Sequence, residues 1–166
     1  MDTVPSKVEL HPFRVEDETW ISMPSSIDGR AQPILDPENA PFWNGLRDDK
    51  VVFQRCATCR RYTHFPIGGC QWCGGPVVAE AVPAEGCLAT VNTFTVCYLD
   101  FGPGMETPYI AAIVNPVCEP EIQLMTNLVN CRIADIREGL DLRPVFAHGT
   151  DRALLFYEPS SDTATS

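Results

Sequence analysis

Basic residues are scarce in this chain. Lys and Arg number 12 against 22 Asp and Glu over 166 residues, a net charge of -10. Such a chain repels polyanions at long range, which counts against nucleic acid as a partner. Histidine is scarcer still, with only His11, His64 and His148. No run approaches the roughly 18 apolar residues that a membrane-spanning helix needs. The opening MDTVPSKVELHPF has neither an apolar core nor a cleavage-like site, so cytoplasmic residence is the expectation. The signatures GxGxxG, GxxxxGK[ST] and GxSxG are missing, and with them any positive case for chemistry carried out by this chain alone.

Cysteine, by contrast, is plentiful, with eight residues. Four form two Cys-x-x-Cys pairs, Cys56/Cys59 and Cys70/Cys73, ten residues apart. The spacing lets a tight knuckle aim both sulfurs at one ion. Four thiolates at about 2.3 Å complete a tetrahedral zinc site and leave no position for water. One structural zinc per chain is therefore expected, with a ribbon that depends on the metal for its folding. Iron is the rival, since soft thiolates suit it as well, and it would signal electron transfer. Cys87, Cys97, Cys118 and Cys131 lie in or beside apolar, strand-like stretches and read as small buried hydrophobes. His64 falls inside the ribbon, where four Cys already complete the site. His148 reads as a turn residue, and His11 lies in the N-terminal leader. A catalytic pair of a His with Cys97 or Cys131 has no sequence feature behind it.

Residues 1–34 form an acidic arm. Asp2, Glu9, Glu16, Asp17, Glu18 and Asp28 outnumber Lys7, Arg14 and Arg30, yet Val8, Leu10, Phe13, Val15, Trp20 and Ile21 are too apolar for a purely solvated tail. The arm reads either as a disordered leader or as a segment that packs on a partner or on its own domain. DPENAPFWNGLRDD reads as a brief helix, capped by Asp36, with Pro37 in the first turn and Phe42, Trp43 and Leu46 on one side. Gly45 weakens it. VVFQRC is a strand entering the first Cys pair, Gly74-Gly75-Pro76 a turn, and VVAEAVP a strand leaving the ribbon.

From Gly86 the texture is that of β structure. In CLATVNTFTVCY the residues Leu88, Thr90, Asn92, Phe94, Val96 and Tyr98 share one face of a regular strand. PYIAAIVNP is a continuous apolar run that reads as a buried strand, and IQLMTNLVN is the third. RIADIREGL makes one or two helical turns, stopped by Gly139. LRPVFAHG and ALLFYEP are the last two strands. Five strands with a helical connection between the third and fourth is the layout of an OB-fold barrel. The chain is thus expected to be mainly β: a 1–34 arm, a helix and four-Cys ribbon over 35–82, a five-stranded OB-fold over 83–159, and a disordered tail over 160–166.

Arg47, Lys50, Arg55, Arg60 and Arg61 crowd five of the 12 basic residues into fifteen positions. They read either as a solvated ribbon surface that balances thiolate charge or as a contact for phosphates, which Arg recognises well.

The succession PFWNGL, VVFQRCATC, FPIGGCQWCGG, GCLATVNTFTV, TPYIAAIVN and LLFYEP resembles the domain-of-unknown-function 35 family over roughly residues 34–159. That family joins a rubredoxin-like zinc ribbon to an OB-fold. The resemblance implies that Cys56, Cys59, Cys70 and Cys73 hold zinc, and that Gly86, Pro108 and Tyr109 are strand landmarks. Pro66-Ile67-Gly68 departs from a Pro-Pro-Arg common in the family. The leader is not covered. The resemblance further implies a non-catalytic subunit of a thiolase-like or sterol-carrier-type thiolase homologue, in a hetero-oligomer with two copies of each chain. Such a subunit helps form an acyl-CoA site for Claisen-type acyl transfer or retro-aldol cleavage. Lys50, Arg55, Arg60 and Arg61 are then the candidate contacts for coenzyme A phosphates. The alternatives are a single-strand-binding OB module, in which Phe94, Tyr98 and Tyr109 stack on bases, and an iron-bearing redox ribbon.

Overall fold

The computed structural model describes residues 17–31 and 33–160. The arm before Asp17, with His11, and the tail from residue 161 lie outside the described residues.

The described part of the arm packs on its own domain. Strand β1 (Trp20–Ile21) pairs antiparallel with Cys131–Arg132, and Ile21 and Ile27 are both buried. Helix α1 (Ala40–Leu46) starts three residues later than the sequence suggests. Asp36 does cap, but it caps a preceding turn: its Oδ1 accepts the backbone N–H groups of Glu38 and Asn39 at 2.9 and 2.7 Å. Asn39 takes the N-cap position, and Pro41 stands in the first turn where Pro37 was expected. Phe42 and Leu46, one helical turn apart, are the buried pair.

Strands β2 (Val52–Cys56), β3 (Tyr62–Thr63) and β4 (Val77–Ala81) form an antiparallel ribbon with β2 in the middle. Sequence reading finds β2 and β4 but misses β3, whose two residues are too few to carry a period. Gly45 is not simply a weak point of the helix. A Cβ there would stand 2.5 Å from Val52 Cγ2, so its bareness lets the helix lie directly on β2.

The barrel consists of β5 (Ala89–Cys97), β6 (Tyr109–Pro116), β7 (Leu124–Leu128), β9 (Asp141–His148) and β10 (Ala153–Pro159). Between β7 and β9 come β8 (Cys131–Arg132), which carries β1, and a single 3-10 turn over Ile133–Asp135. The ring order is β10-β7-β6-β5-β9. Its closure is thin: β7 and β10 share the one register pair Tyr157↔Leu128, with Val129 N–H donating to the Tyr157 carbonyl at 2.9 Å. Mainly-β composition, one short helix and a five-stranded OB sheet agree with the sequence reading.

Two strands differ from it. In β5 a bulge between Val91 and Thr93 shifts the alternation, so Ala89 and Val91 point inward before it and Phe94 and Val96 lean on the core after it. Leu88 and Phe94 therefore do not share a face, because one extra residue reverses the pleat. In β6, Ile110, Ala112 and Val114 are buried while Tyr109, Ala111 and Ile113 are half-exposed. The apolar run is buried on one side only, and its outer side remains an apolar surface.

The larger of two apolar clusters among the described residues runs through ribbon and barrel alike. Leu46, Val51, Phe53 and Tyr62 belong to the same buried cluster as Val91, Ile110, Leu128 and Tyr157. Tyr157 is fully buried, and its hydroxyl donates to the Cys87 carbonyl at 3.0 Å.

Candidate metal centre and apolar pocket

The Cys-x-x-Cys pairs sit at the two tight turns of the ribbon. Each turn folds its backbone back on its first Cys, with Arg60 N–H donating to the Cys56 carbonyl at 3.1 Å and Gly74 N–H to the Cys70 carbonyl at 2.8 Å. The residue after the second Cys is left-handed in both, Arg60 at φ 63° and Gly74 at φ 72°. Backbone N–H groups also point at sulfur: Thr58 and Cys59 at Cys56 Sγ, 3.3 and 3.4 Å, and Trp72 at Cys70 Sγ, 3.4 Å. The Cys59 N–H most of all, and the Thr58 N–H after it, hold the Cys56 thiol down to about 6. A side chain at Gly75 would collide with Thr58 Oγ1 at 2.7 Å and approach Cys56 Sγ at 3.2 Å, so glycine is what lets the strand pass the cluster.

The turns bring all four Sγ atoms within 4.8 Å of one another, with Cys56 3.6 Å from Cys73 and Cys59 3.6 Å from Cys70. Bonds of about 2.3 Å in a tetrahedron place sulfurs roughly 3.8 Å apart. The cluster is thus shaped for one tetrahedral ion held by Cys56, Cys59, Cys70 and Cys73. The other Cys are of a different kind. Cys87 and Cys131 are buried, Cys97 and Cys118 partly so. Burial pushes the thiols of Cys87, Cys118 and Cys131 up to about 11, 12 and 12, which leaves them protonated and unreactive.

The basic cluster separates into two kinds of residue. Arg55 pairs with Glu80 and lies 5.0 Å over the Tyr62 ring. Arg61 grips Glu119 with two hydrogen bonds, reaches Glu121 at 3.2 Å, and lies 3.7 Å over Trp72. Lys50 and Arg60 are exposed, and among the described residues no carboxylate forms an ion pair with either side chain. His148 meets Asp49 at 2.8 Å, a link between barrel and helix end rather than a mere turn residue.

His64 is not a ligand of the cluster. It is buried against Phe42 and Phe53, with ring centres 5.0 Å from each, and Phe65 stacks on it at 4.7 Å. Burial lowers its pKa to about 4, so it is neutral, and its Nδ1 has no partner among the described residues. Beside it opens a pocket of about 350 Å³ between α1, the His64–Phe65 tip and the outer side of β6, β7 and β10. Phe42, Trp43, Ala111, Leu124 and Leu155 supply apolar walls, while Phe65 and Met125 stand exposed at its margin. No helix among the described residues is long and apolar enough to cross a membrane.

A four-thiol ribbon continuous in its core with a five-stranded OB barrel defines the class of molecule. Residues 81–147 match the family model described as ChsH2, C-terminal OB-fold domain. Among solved structures the chain is similar to the Ltp2-ChsH2(DUF35) aldolase, with a TM-score of 0.68 and 25% identity over 77% of this chain and 98% of that one. The fold is also that of a DUF35-family protein of unknown function from Sulfolobus solfataricus, with a TM-score of 0.53 and 18% identity over 75% of this chain and 86% of that one. A curated relative, the probable enoyl-CoA hydratase alpha subunit of Thermomonospora curvata, is 30% identical over 111 residues, 67% of this chain. The chain spans about a third of that relative, 34% of its length. The chain is similar in sequence and fold to proteins of the domain-of-unknown-function 35 family.

Proposed function

We propose that this chain is a non-catalytic subunit that binds a thiolase-like enzyme and helps form its acyl-CoA site, with one structural zinc in the Cys56–Cys59–Cys70–Cys73 cluster. The observation that carries the reading is the likeness to the ChsH2(DUF35) chain of an aldolase complex, which extends over 98% of that chain. The probable enoyl-CoA hydratase subunit adds a second relative whose name places it in acyl-CoA chemistry. Zinc is favoured over iron as the resident ion because its closed tetrahedral four-thiolate site is a folding element, and here the cluster ties together the ribbon's two turns. The partner would supply the catalytic groups and run acyl transfer or retro-aldol cleavage.

For coenzyme A phosphates, Lys50 and Arg60 are the better contacts of the four candidates, since Arg55 and Arg61 already carry carboxylates. Purification of the tagged chain from its host, with mass spectrometry and metal analysis on the same eluate, tests the proposal. A stoichiometric thiolase-like protein and about one zinc per chain are expected. A lone chain, or one that carries iron and colour, overturns it. Arg60→Ala should weaken coenzyme A binding to the complex about tenfold for one lost charge-assisted contact, and an unchanged affinity removes Arg60 from the site.

A further inference from the structure

Arg30 stands at the wall of the 350 Å³ pocket, at the end of the arm that family resemblance leaves unexplained. Its backbone is clamped rather than loose. Asp28 accepts the Thr150 N–H at 2.7 Å and the Thr150 hydroxyl at 2.9 Å, and Arg152 donates to the carbonyls of Asp28 and Arg30 at 2.7 and 2.8 Å. Gly149 makes room for this, since a Cβ there would lie 2.4 Å from Asp28 Oδ1. The guanidinium projects across the Phe156 ring at 5.1 Å.

Its hydrogen bonds to described residues leave it unneutralised. Nε donates to the Gly104 carbonyl at 3.2 Å and Nη1 to Asn127 Oδ1 at 3.0 Å. Both acceptors are uncharged, and a guanidinium has five N–H donors. Among the described residues no carboxylate lies within ion-pair distance; Glu106, in the adjoining hollow with Trp20 and Pro108, acts on it only from farther away. Half-buried and short of counter-charge, Arg30 already bears part of the desolvation cost of binding an anion.

An apolar chamber whose wall carries a fixed cation, unpaired among the described residues, complements an amphipathic anion. A volume of about 350 Å³ falls at the lower end of pockets that hold small molecules, which run from about 300 Å³. We propose that this pocket binds a small amphiphile whose apolar body lies between Trp43, Leu124 and Leu155 and whose carboxylate or phosphate is held by Arg30. This inference concerns the chain by itself and does not rest on the partner-subunit reading.

Calorimetry on the full chain with octanoate, octyl phosphate and octanol tests it. At least one anionic probe should bind about tenfold or more tightly than octanol, the scale of one charge-assisted pair. A preference for octanoate identifies a carboxylate ligand and a preference for octyl phosphate a phosphate one. Arg30→Gln should bring the preferred probe to the level of octanol and leave octanol unchanged, while Arg30→Lys keeps a preference for the anion. Ala111→Phe, which fills the chamber from β6, should abolish binding of all three, with circular dichroism showing both variant families folded. Equal affinity for the three probes, binding of none, or indifference to Arg30→Gln overturns the inference.

Discussion

Arg61 on the ribbon and Glu119 beyond β6 meet in a fork, Nε to Oε2 at 2.9 Å and Nη2 to Oε1 at 2.7 Å. The two residues are 58 positions apart, so the pair joins the ribbon to the barrel across a long loop of chain. Its geometry depends on two parallel N–H groups, which Lys does not have. Arg61→Lys should therefore loosen the ribbon while sparing the barrel. Hydrogen exchange is expected to speed up at Tyr62 and Thr63 and to stay unchanged at Ile110 and Val114. Equal protection in both proteins would show that the fork adds nothing to the apolar contacts around it.

Removing one thiol of the candidate metal site should have a larger and more local effect. Cys56→Ser breaks the tetrahedral set and replaces the sulfur that accepts two backbone donors with a hydroxyl on a shorter bond. Metal content measured by plasma mass spectrometry should fall from about one per chain toward zero, and the ribbon should unfold. Chelation of the wild-type protein should reproduce the change, and addition of zinc should reverse it.

His64 makes acid stability predictable. Its ordinary value is 6.5, and burial holds the folded value at about 4. The unfolded chain thus takes up a proton at a pH where the folded chain refuses it. This residue's contribution is complete above pH 6.5 and is lost as the pH falls toward 4, to a limit of about 3 kcal/mol. His64→Phe should flatten that part of the urea-unfolding profile relative to wild type. Metal release, common to both proteins, cancels in the difference.

Tyr157→Phe deletes one oxygen from the middle of the core and strands the Cys87 carbonyl. A cost of about 1–3 kcal/mol is expected from chemical denaturation. Gly45→Ala should cost about as much for a different reason, overpacking of Val52 beneath the helix. Exposed helical glycines usually gain stability on that change, so a stabilised Gly45→Ala would refute the close-approach account.

How much of this was legible beforehand depends on the range of each contact. The knuckles are local: two residues between sulfurs and a left-handed residue after them, so spacing alone locates the cluster. Strand order was legible because turns and apolar runs punctuate the chain at short intervals. The β5 face was misread because a bulge adds one residue without any sign in the composition. The short strand β3 and the later helix start were lost to the same limitation, since two residues carry no period and Asp36 can cap a turn as well as a helix.

The side-chain partners are another matter. As a sequence feature the basic cluster is uniform, and nothing in it separates Arg55 and Arg61 from Lys50 and Arg60. Glu80 and Glu119, 25 and 58 positions away, make that division once the chain is folded. Arg30 looked like one cation in an acidic arm. The barrel turn 122 positions further on clamps its backbone, and Asn127, 97 positions on, orients its side chain. Sequence by itself determined the thiol cluster and the order of strands, because both are written in near neighbours. The tertiary structure alone decided which charges are paired, which histidine is dry and where an open pocket meets the Arg30 guanidinium, because those depend on residues that only folding brings together.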